Sequence, residues 1–381
     1  VLFFRKYSSL KMKSTPFIYL FLISFLVSSC FEKKSEEPII LPNNLTIQVE
    51  YLGNGVVKAN FTAEKAAFYK VSFGTPGESL VRVNENSATK TFTTKGDFTL
   101  QVQAHTTEKD FISATQMIRM NAAALGLDPN TGYTSPTSYD EYDLVWADEF
   151  SGTELSEVWN FELGDGCPLT CGWGSEELQY YKKDNATLVD GNLIITAKKE
   201  NEGTRNYTSS RMTTQGKEFI TFGRVDVRAK FPKGKGFGPA LWMMGESLPD
   251  LGWPKAGTIS IASMVGGSTD NGDATVIGTS YWDDSDKEEF SRGMATLPFG
   301  ILNDEFHVFS IVWDAQKIVW LKDGIEYHSL DITPAEMDEF QKPFFFLLSL
   351  SVGGRTLGTP DETSVFPQEM SVDYIRVFQK K

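Results

Sequence analysis

Few residues in this chain are equipped for chemistry. Its three histidines, His105, His307 and His328, stand far apart and outside ligand spacing, so a His-rich metal centre is not expected. Cys167 and Cys171 flank the short loop Gly166-Cys167-Pro168-Leu169-Thr170-Cys171-Gly172. Outside the cytoplasm such a pair can close a small disulfide; two free thiols are the alternative. Carboxylates pair at Glu176-Glu177 and gather at Asp283-Asp284-Ser285-Asp286, and positioned carboxylates are one way to move protons. Aromatic side chains are the larger resource. There are 28 Phe, 13 Tyr and 8 Trp, 13% of the 381 residues, a richness that recurs in proteins that stack flat ligands. The net charge of −14, from 36 basic against 50 acidic residues, argues against nucleic acid, which needs a basic face.

Strands must position these residues. At 41% hydrophobic and 23% charged the chain can bury a sizeable core, and its length suggests two or three domains at roughly 100–200 residues each. Residues 43–122 read as short strands: Leu45-Thr46-Ile47-Gln48-Val49 and Phe98-Thr99-Leu100-Gln101-Val102 alternate apolar and polar, with turns at Gly53-Asn54-Gly55, Thr75-Pro76-Gly77 and Lys95-Gly96-Asp97. A small sandwich is expected. Residues 123–140 lack periodicity and read as a linker. From 141 to 381 strand signals continue. Gly223 to Phe231 alternates strictly. Turns fall at Asp314-Ala315-Gln316-Lys317 and Lys322-Asp323-Gly324-Ile325, and Val372 to Val377 alternates again. Only Pro334–Phe340 reads as helical. Trp146, Trp159, Trp313 and Trp320, inside strand patterns, read as core, and the fold class is all-β.

The motifs of this larger module resemble glycoside hydrolase family 16, in its laminarinase branch. Those motifs are Trp146-Ala147-Asp148-Glu149-Phe150, Gly172-Trp173-Gly174-Ser175-Glu176-Glu177-Leu178-Gln179, Gly238-Pro239-Ala240-Leu241-Trp242-Met243 and Gly252-Trp253-Pro254. The resemblance runs through the module in order and implies a β-jelly roll with a cleft. The family's catalytic strand reads Glu-x-Asp-x-x-Glu. Side chains at i and i+2 share a face, and a bulge returns the last one to it. The register implied by Gly252-Trp253-Pro254 and Gly257 puts Thr258, Ser260 and Ser263 at those three positions. A hydroxyl is no acid near neutral pH and, without a base, a poor nucleophile. Tyr281 stands where the family has a histidine, and Glu176 where it has an asparagine.

What the resemblance leaves in place is a binding surface: Trp242, Trp253, Arg211 and Glu177, with Trp173, Tyr281 and Trp282 as further platforms. Trp282, beside the Asp283–Asp286 run, is expected in a loop. The flat C–H face of a pyranose removes apolar area from water on an indole at about 25 cal/mol/Å². The resemblance also implies a structural calcium held by Glu149, Gly191 and Asp373, oxygen ligands that suit this cation.

The N-terminus reads as a targeting segment. Arg5, Lys6, Lys11 and Lys13 precede an apolar stretch from Phe17 to Val27, too short to span a bilayer and suited to a signal peptide. Val27-Ser28-Ser29-Cys30 resembles the lipobox of bacterial lipoproteins, in which the cysteine carries lipid. The organisation expected is a signal peptide over 1–29, a polar tether over 30–42, a PKD-like immunoglobulin-like domain over 43–122, a linker over 123–140 and a laminarinase-like domain over 141–381. The whole resembles Bacteroidetes surface glycan-binding proteins. It implies a non-catalytic, lipid-anchored outer-membrane protein that captures β-1,3-glucan such as laminarin, beside a SusD-like protein and a TonB-dependent transporter. The rivals are a hydrolase with relocated carboxylates at Glu176, Glu177 or Asp283–Asp286, and a structural scaffold. Replacing the lipid-bearing thiol tests the anchor: in Cys30→Ser the protein is expected to shift from the membrane to the soluble fraction on fractionation and immunoblotting.

Overall fold

In the computed structural model, residues 40–128, 130–267 and 271–381 are described. Cys30, the signal peptide and the tether up to residue 39 lie outside them. Alternation builds two small antiparallel sheets at the start. One orders Asn43–Gly53, Val56–Glu64 and Ser87–Thr91. The other orders Val81–Val83, Phe68–Ser72, Gly96–His105 and Phe111–Met120. Their inward residues, among them Val57, Phe61, Phe92, Leu100 and Ile118, form one apolar core. The two strands of the last hairpin pair residue for residue from Gly96↔Met120 to His105↔Phe111.

Two larger sheets follow and enclose a second core. The seven-stranded sheet runs Lys287–Thr296, Thr275–Asp284, Thr258–Ser263, Phe237–Gly245, Phe344–Val352, Arg211–Thr213 and Asn160–Phe161. The eight-stranded sheet includes Gly223–Lys230, His307–Trp313, Lys317–Lys322 and the long Gln368–Lys380. Phe231, Leu241, Ile259, Ile311, Trp313, Trp320 and Phe344 are buried between them. Trp159, Trp313 and Trp320 are buried, and Trp146 is half-buried against the same core. The Asp-Gly turn closes as read: Lys322 pairs Ile325, with Asp323 and Gly324 at φ 51° and 78°, the left-handed pair that such a turn needs.

Helix is scarce. The stretch read as helical is a 3-10 segment over Ala335–Gln341, irregular at Met337. The sequence reading missed a single turn over Leu248–Leu251, where Pro249 sits in the first turn and needs no N–H partner. Among the described residues no helix is long and apolar enough to cross a membrane.

Residues 123–140, aperiodic in sequence, are held down at many points. Gly132 bridges Phe306, and the Ser135 N–H donates to Tyr374 Oη at 2.8 Å. Arg228 donates through Nε to the Tyr133 carbonyl and through Nη2 to the Asn130 carbonyl, both at 2.7 Å. The Tyr139 hydroxyl donates to Asp226 Oδ2 at 2.7 Å. Asp226 and Arg228 alternate with core residues Val225 and Val227, so they face away from the core, yet both are buried because this segment covers them. The small sheets touch the same body: Lys95 pairs with Glu305, and Asn121 Nδ2 donates to Asp304 Oδ1 at 2.8 Å.

Asp226 accepts from Tyr139, Ser310 and Arg224 with no exposure to water. Removing one partner of such a buried set strands the others. Asp226→Ala is expected to cost about 3–5 kcal/mol, read as a fall in the urea unfolding midpoint.

Candidate functional site: a groove on the seven-stranded sheet

The site is built on the strand Thr258–Ser263. Glycine at 257, with φ 77°, starts it; a Cβ there would come within 2.8 Å of Glu339 Cγ and 2.9 Å of Phe344 Cζ. Along the neighbouring strand, Leu241 pairs Ala262 and Trp242 pairs Ser260, which leaves Ile261 as the extra residue of a bulge. On the other side Ser260 pairs Thr279 and Ser263 pairs Ile277, three residues against two. The bulge lets Ile259, Ile261 and Ala262 all enter the core while Ser260 and Ser263 both reach the groove. Across the core, Trp320 of the eight-stranded sheet donates its indole N–H to the Ser260 carbonyl at 2.9 Å.

Thr258, Ser260 and Ser263 do not share one environment. Ser260 and Ser263 line a groove of about 250 Å³ with Glu177, Thr279, Tyr281 and Ser351. The Ser263 hydroxyl donates to the Ile277 carbonyl at 3.2 Å. Thr258 is buried, and its Oγ1 has no hydrogen-bond partner.

Beside Ser260, on the neighbouring strand, stands an aromatic and cationic cluster around Trp242. The Arg211 guanidinium carbon lies 4.7 Å from the ring centroid of Trp173 and 4.8 Å from that of Trp242, an arrangement that cation–π attraction favours. Arg211 also pairs with Glu162, which the sequence reading missed and no motif signals. The Trp242 indole N–H donates to Ser349 Oγ at 3.3 Å. The Cys167–Cys171 disulfide closes a loop just before Trp173, with the two Cα atoms 4.1 Å apart.

Among the described residues lining the groove, Glu177 is the only carboxylate. Its Oε2 accepts from Gln179 Nε2 at 2.6 Å and from the Tyr181 hydroxyl at 3.1 Å. Burial raises its pKa above the ordinary glutamate value, against the opposing pull of those bonds and of Arg211. The other acids are elsewhere. Glu176 takes a left-handed conformation and pairs with Arg355 at 3.1 Å on the surface. Asp286 pairs with Lys255 at the hairpin tip, and the Asp283 N–H donates to Glu339.

Tyr281 lines the groove, and Trp253 packs beside it, ring centroids 6.0 Å apart. Trp282 corrects the sequence reading. It is not in a loop: it belongs to the strand Thr275–Asp284 and is buried against Phe340. Successive strand residues point to opposite faces, so Tyr281 outward sends Trp282 into the core. Opposite Tyr281 lies Phe290, on the edge strand Lys287–Thr296. The sequence reading passed over it, although counting across the Ser285-Asp286 turn pairs it with Tyr281.

Of the three residues expected to hold calcium, two have side chains engaged by arginines. Both carboxylate oxygens of Glu149 accept from Arg376, at 2.7 and 2.8 Å, and Asp373 Oδ2 accepts from Arg228 at 2.7 Å.

The sequence profile of Glycosyl hydrolases family 16 matches residues 171–375. The chain is 34% identical over 253 residues to a beta-glucanase of Rhodothermus marinus, covering 62% of this chain and 85% of that protein. It is 31% identical over 241 residues to the clotting factor G alpha subunit of Tachypleus tridentatus, covering 63% of this chain and 34% of that one. The chain thus spans only about a third of that relative's length. The solved laminarinase catalytic domain of Thermotoga maritima MSB8 superposes with a TM-score of 0.59 at 40% identity, covering 64% of this chain and 100% of that domain.

The raised pKa of Glu177 makes stability depend on pH. Its contribution is complete below the ordinary glutamate range and is lost as pH rises through the folded-state value. Glu177→Gln does not titrate there. Its unfolding midpoint is therefore expected to gain on the wild type between pH 4 and pH 7, as measured by urea titration at both.

Proposed function

Since the chain belongs to glycosyl hydrolases family 16, we propose that its groove holds a β-1,3-glucan chain without cleaving it. The observation that carries this reading is the strand Thr258–Ser263: Thr258, Ser260 and Ser263 bring no carboxylate to the site, and Thr258 is buried. A retaining glycosidase needs two carboxyls roughly 5–5.5 Å apart, one to attack and one to protonate. The groove lining offers only Glu177. The same surface supplies what binding needs. Trp242 is braced by Arg211, and Tyr281 lines the groove with Trp253 beside it. Ser260, Ser263 and Ser351 offer hydroxyls to sugar hydroxyls. Replacing acids by hydroxyls removes the repulsion between carboxylates and lowers the desolvation cost of covering the floor.

On this reading the protein is a surface glycan-capture lipoprotein of the outer membrane. Cys30 carries the lipid, the N-terminal sheets act as a PKD-like spacer, and a SusD-like protein with a TonB-dependent transporter receives the captured chain. A second reading keeps hydrolysis. It is favoured by Glu177, a carboxyl in the groove whose raised pKa suits a general acid.

Affinity electrophoresis separates the two. The full chain is expected to be retarded in gels containing laminarin and not in glycan-free gels. Trp242→Ala should weaken that retardation about tenfold in apparent affinity. No reducing sugar should be released from laminarin. Unretarded migration would sink the capture reading; release of reducing ends that Glu177→Gln abolishes would establish the second.

A further inference from the structure

The groove is charged against the rest of the chain. The protein carries a net charge of −14. Yet the described residues lining the groove include two guanidinium groups, Arg292 and Arg355, and the single carboxylate of Glu177. Burial disfavours the charged form of that carboxyl. Ser260, Ser263 and Thr279 add hydroxyls and no charge. A cleft with an excess of one sign between low-dielectric walls concentrates the potential that it presents to a ligand.

Arg292 is held in place without being neutralised. It stands on the edge strand Lys287–Thr296, opposite Thr279, and is exposed. Its Nη2 donates to the Tyr281 hydroxyl at 3.4 Å, and its guanidinium carbon lies 5.3 Å from the Phe290 ring centroid. Among the described residues it meets no carboxylate; Glu289 of the same strand is taken by Lys287. Arg211 differs, because Glu162 balances it. Arg355 reaches the same groove from the turn after Phe344–Val352, where its backbone N–H donates to the Ser175 carbonyl at 2.8 Å. Its pair with Glu176 has both side chains open to solvent, 70% and 72% exposed. So exposed a pair is worth little, and a bound anion can compete with Glu176.

A neutral sugar needs no guanidinium charge; the hydroxyls and the Tyr281 ring already suit it. A planar fork left unpaired suits an oxyanion, because two of its N–H groups can donate in parallel to two oxygens of one carboxylate or sulfate. The hydroxyls of the strand Thr258–Ser263 then matter a second time. Carboxylates there would repel such a group, whereas Ser260 and Ser263 do not.

We propose that the groove contains an anion subsite, built on Arg292 and assisted by Arg355, that takes a sulfate ester or a carboxylate borne by the sugar chain. The inference rests on the glycan-holding reading above and narrows its ligand to a chain with acidic substituents.

Isothermal titration of the full chain with laminarin, laminarin sulfate and carboxymethyl laminarin tests it, using the wild type, Arg292→Gln and Arg355→Gln. Both arginines are exposed, so their replacement should leave the fold intact. In the wild type at least one acidic laminarin is expected to bind about fivefold to tenfold more tightly than laminarin itself. That gain should shrink between about 0.05 M and 0.5 M NaCl as the charges are screened. Whichever derivative gains identifies sulfate ester or carboxylate as the group recognised. In Arg292→Gln the ratio of acidic to neutral affinity should fall to about one, and in Arg355→Gln by about twofold. Dextran sulfate, charged on another backbone, should bind less tightly than the preferred acidic laminarin. Equal affinities for neutral and acidic laminarins, a ratio unchanged in Arg292→Gln, or equally tight binding of dextran sulfate would overturn the subsite and leave the groove reading standing. Binding of an acidic laminarin without binding of laminarin would uphold the subsite and overturn the neutral glucan as ligand. No heat from any of them would overturn both.

Discussion

The bulge in Thr258–Ser263 is the constraint on which the site depends. A strand alternates faces, and one phase must serve the core. Ile259 satisfies it before the bulge; Ile261 and Ala262 straddle the break. The shift delivers Ser263 to the same groove as Ser260, five residues after Thr258. Trp320 fixes the backbone at that point from the opposite sheet. The indole bond and the packing of the isoleucines act on backbone and inner face alone. They are therefore indifferent to what the outer face carries. The shape of this strand is therefore maintained from behind.

The groove's remaining polarity follows from satisfaction. Arg211 lies between two indoles and against Glu162, so its charge is balanced before any ligand arrives. Glu177 is held by Gln179 and Tyr181, and Gln179 in turn accepts from the Val352 N–H at 2.8 Å. These bonds orient the groove wall, and burial keeps the Glu177 carboxyl reluctant to ionise. The groove lining combines hydroxyls and apolar side chains with one ring, Tyr281, two cations, Arg292 and Arg355, and one carboxylate, Glu177. Its hydroxyls and ring match the polyol character of the proposed glucan.

The covered face of the eight-stranded sheet obeys the same rule. Asp226 and Arg228 would be solvated on a bare sheet. The segment before the larger module supplies them with Tyr139, Tyr133 and Asn130 instead. Through that segment, the Lys95–Glu305 pair and the Asn121–Asp304 bond, the small sheets are joined to the larger body at several points rather than by a bare tether.

Local alternation and turn chemistry made much of the fold legible: the all-β class, the Asp-Gly hairpin and the core tryptophans. The family resemblance marked Ser260 and Ser263, which line the groove. The phase of a single strand was not legible at Trp282. Its aspartate neighbours suggested a loop, while the pairing Tyr281↔Phe290 fixed which of Tyr281 and Trp282 faced out. Nor could sequence show that Glu176 turns to the surface while Glu177 turns in, a difference made by one left-handed residue. The sequence by itself determined which side chains are available and the period on which they repeat. Only the tertiary structure decided which neighbours they meet, because burial, the Arg211–Trp242 contact and the Trp320 bond to the Ser260 carbonyl arise between strands distant in the chain.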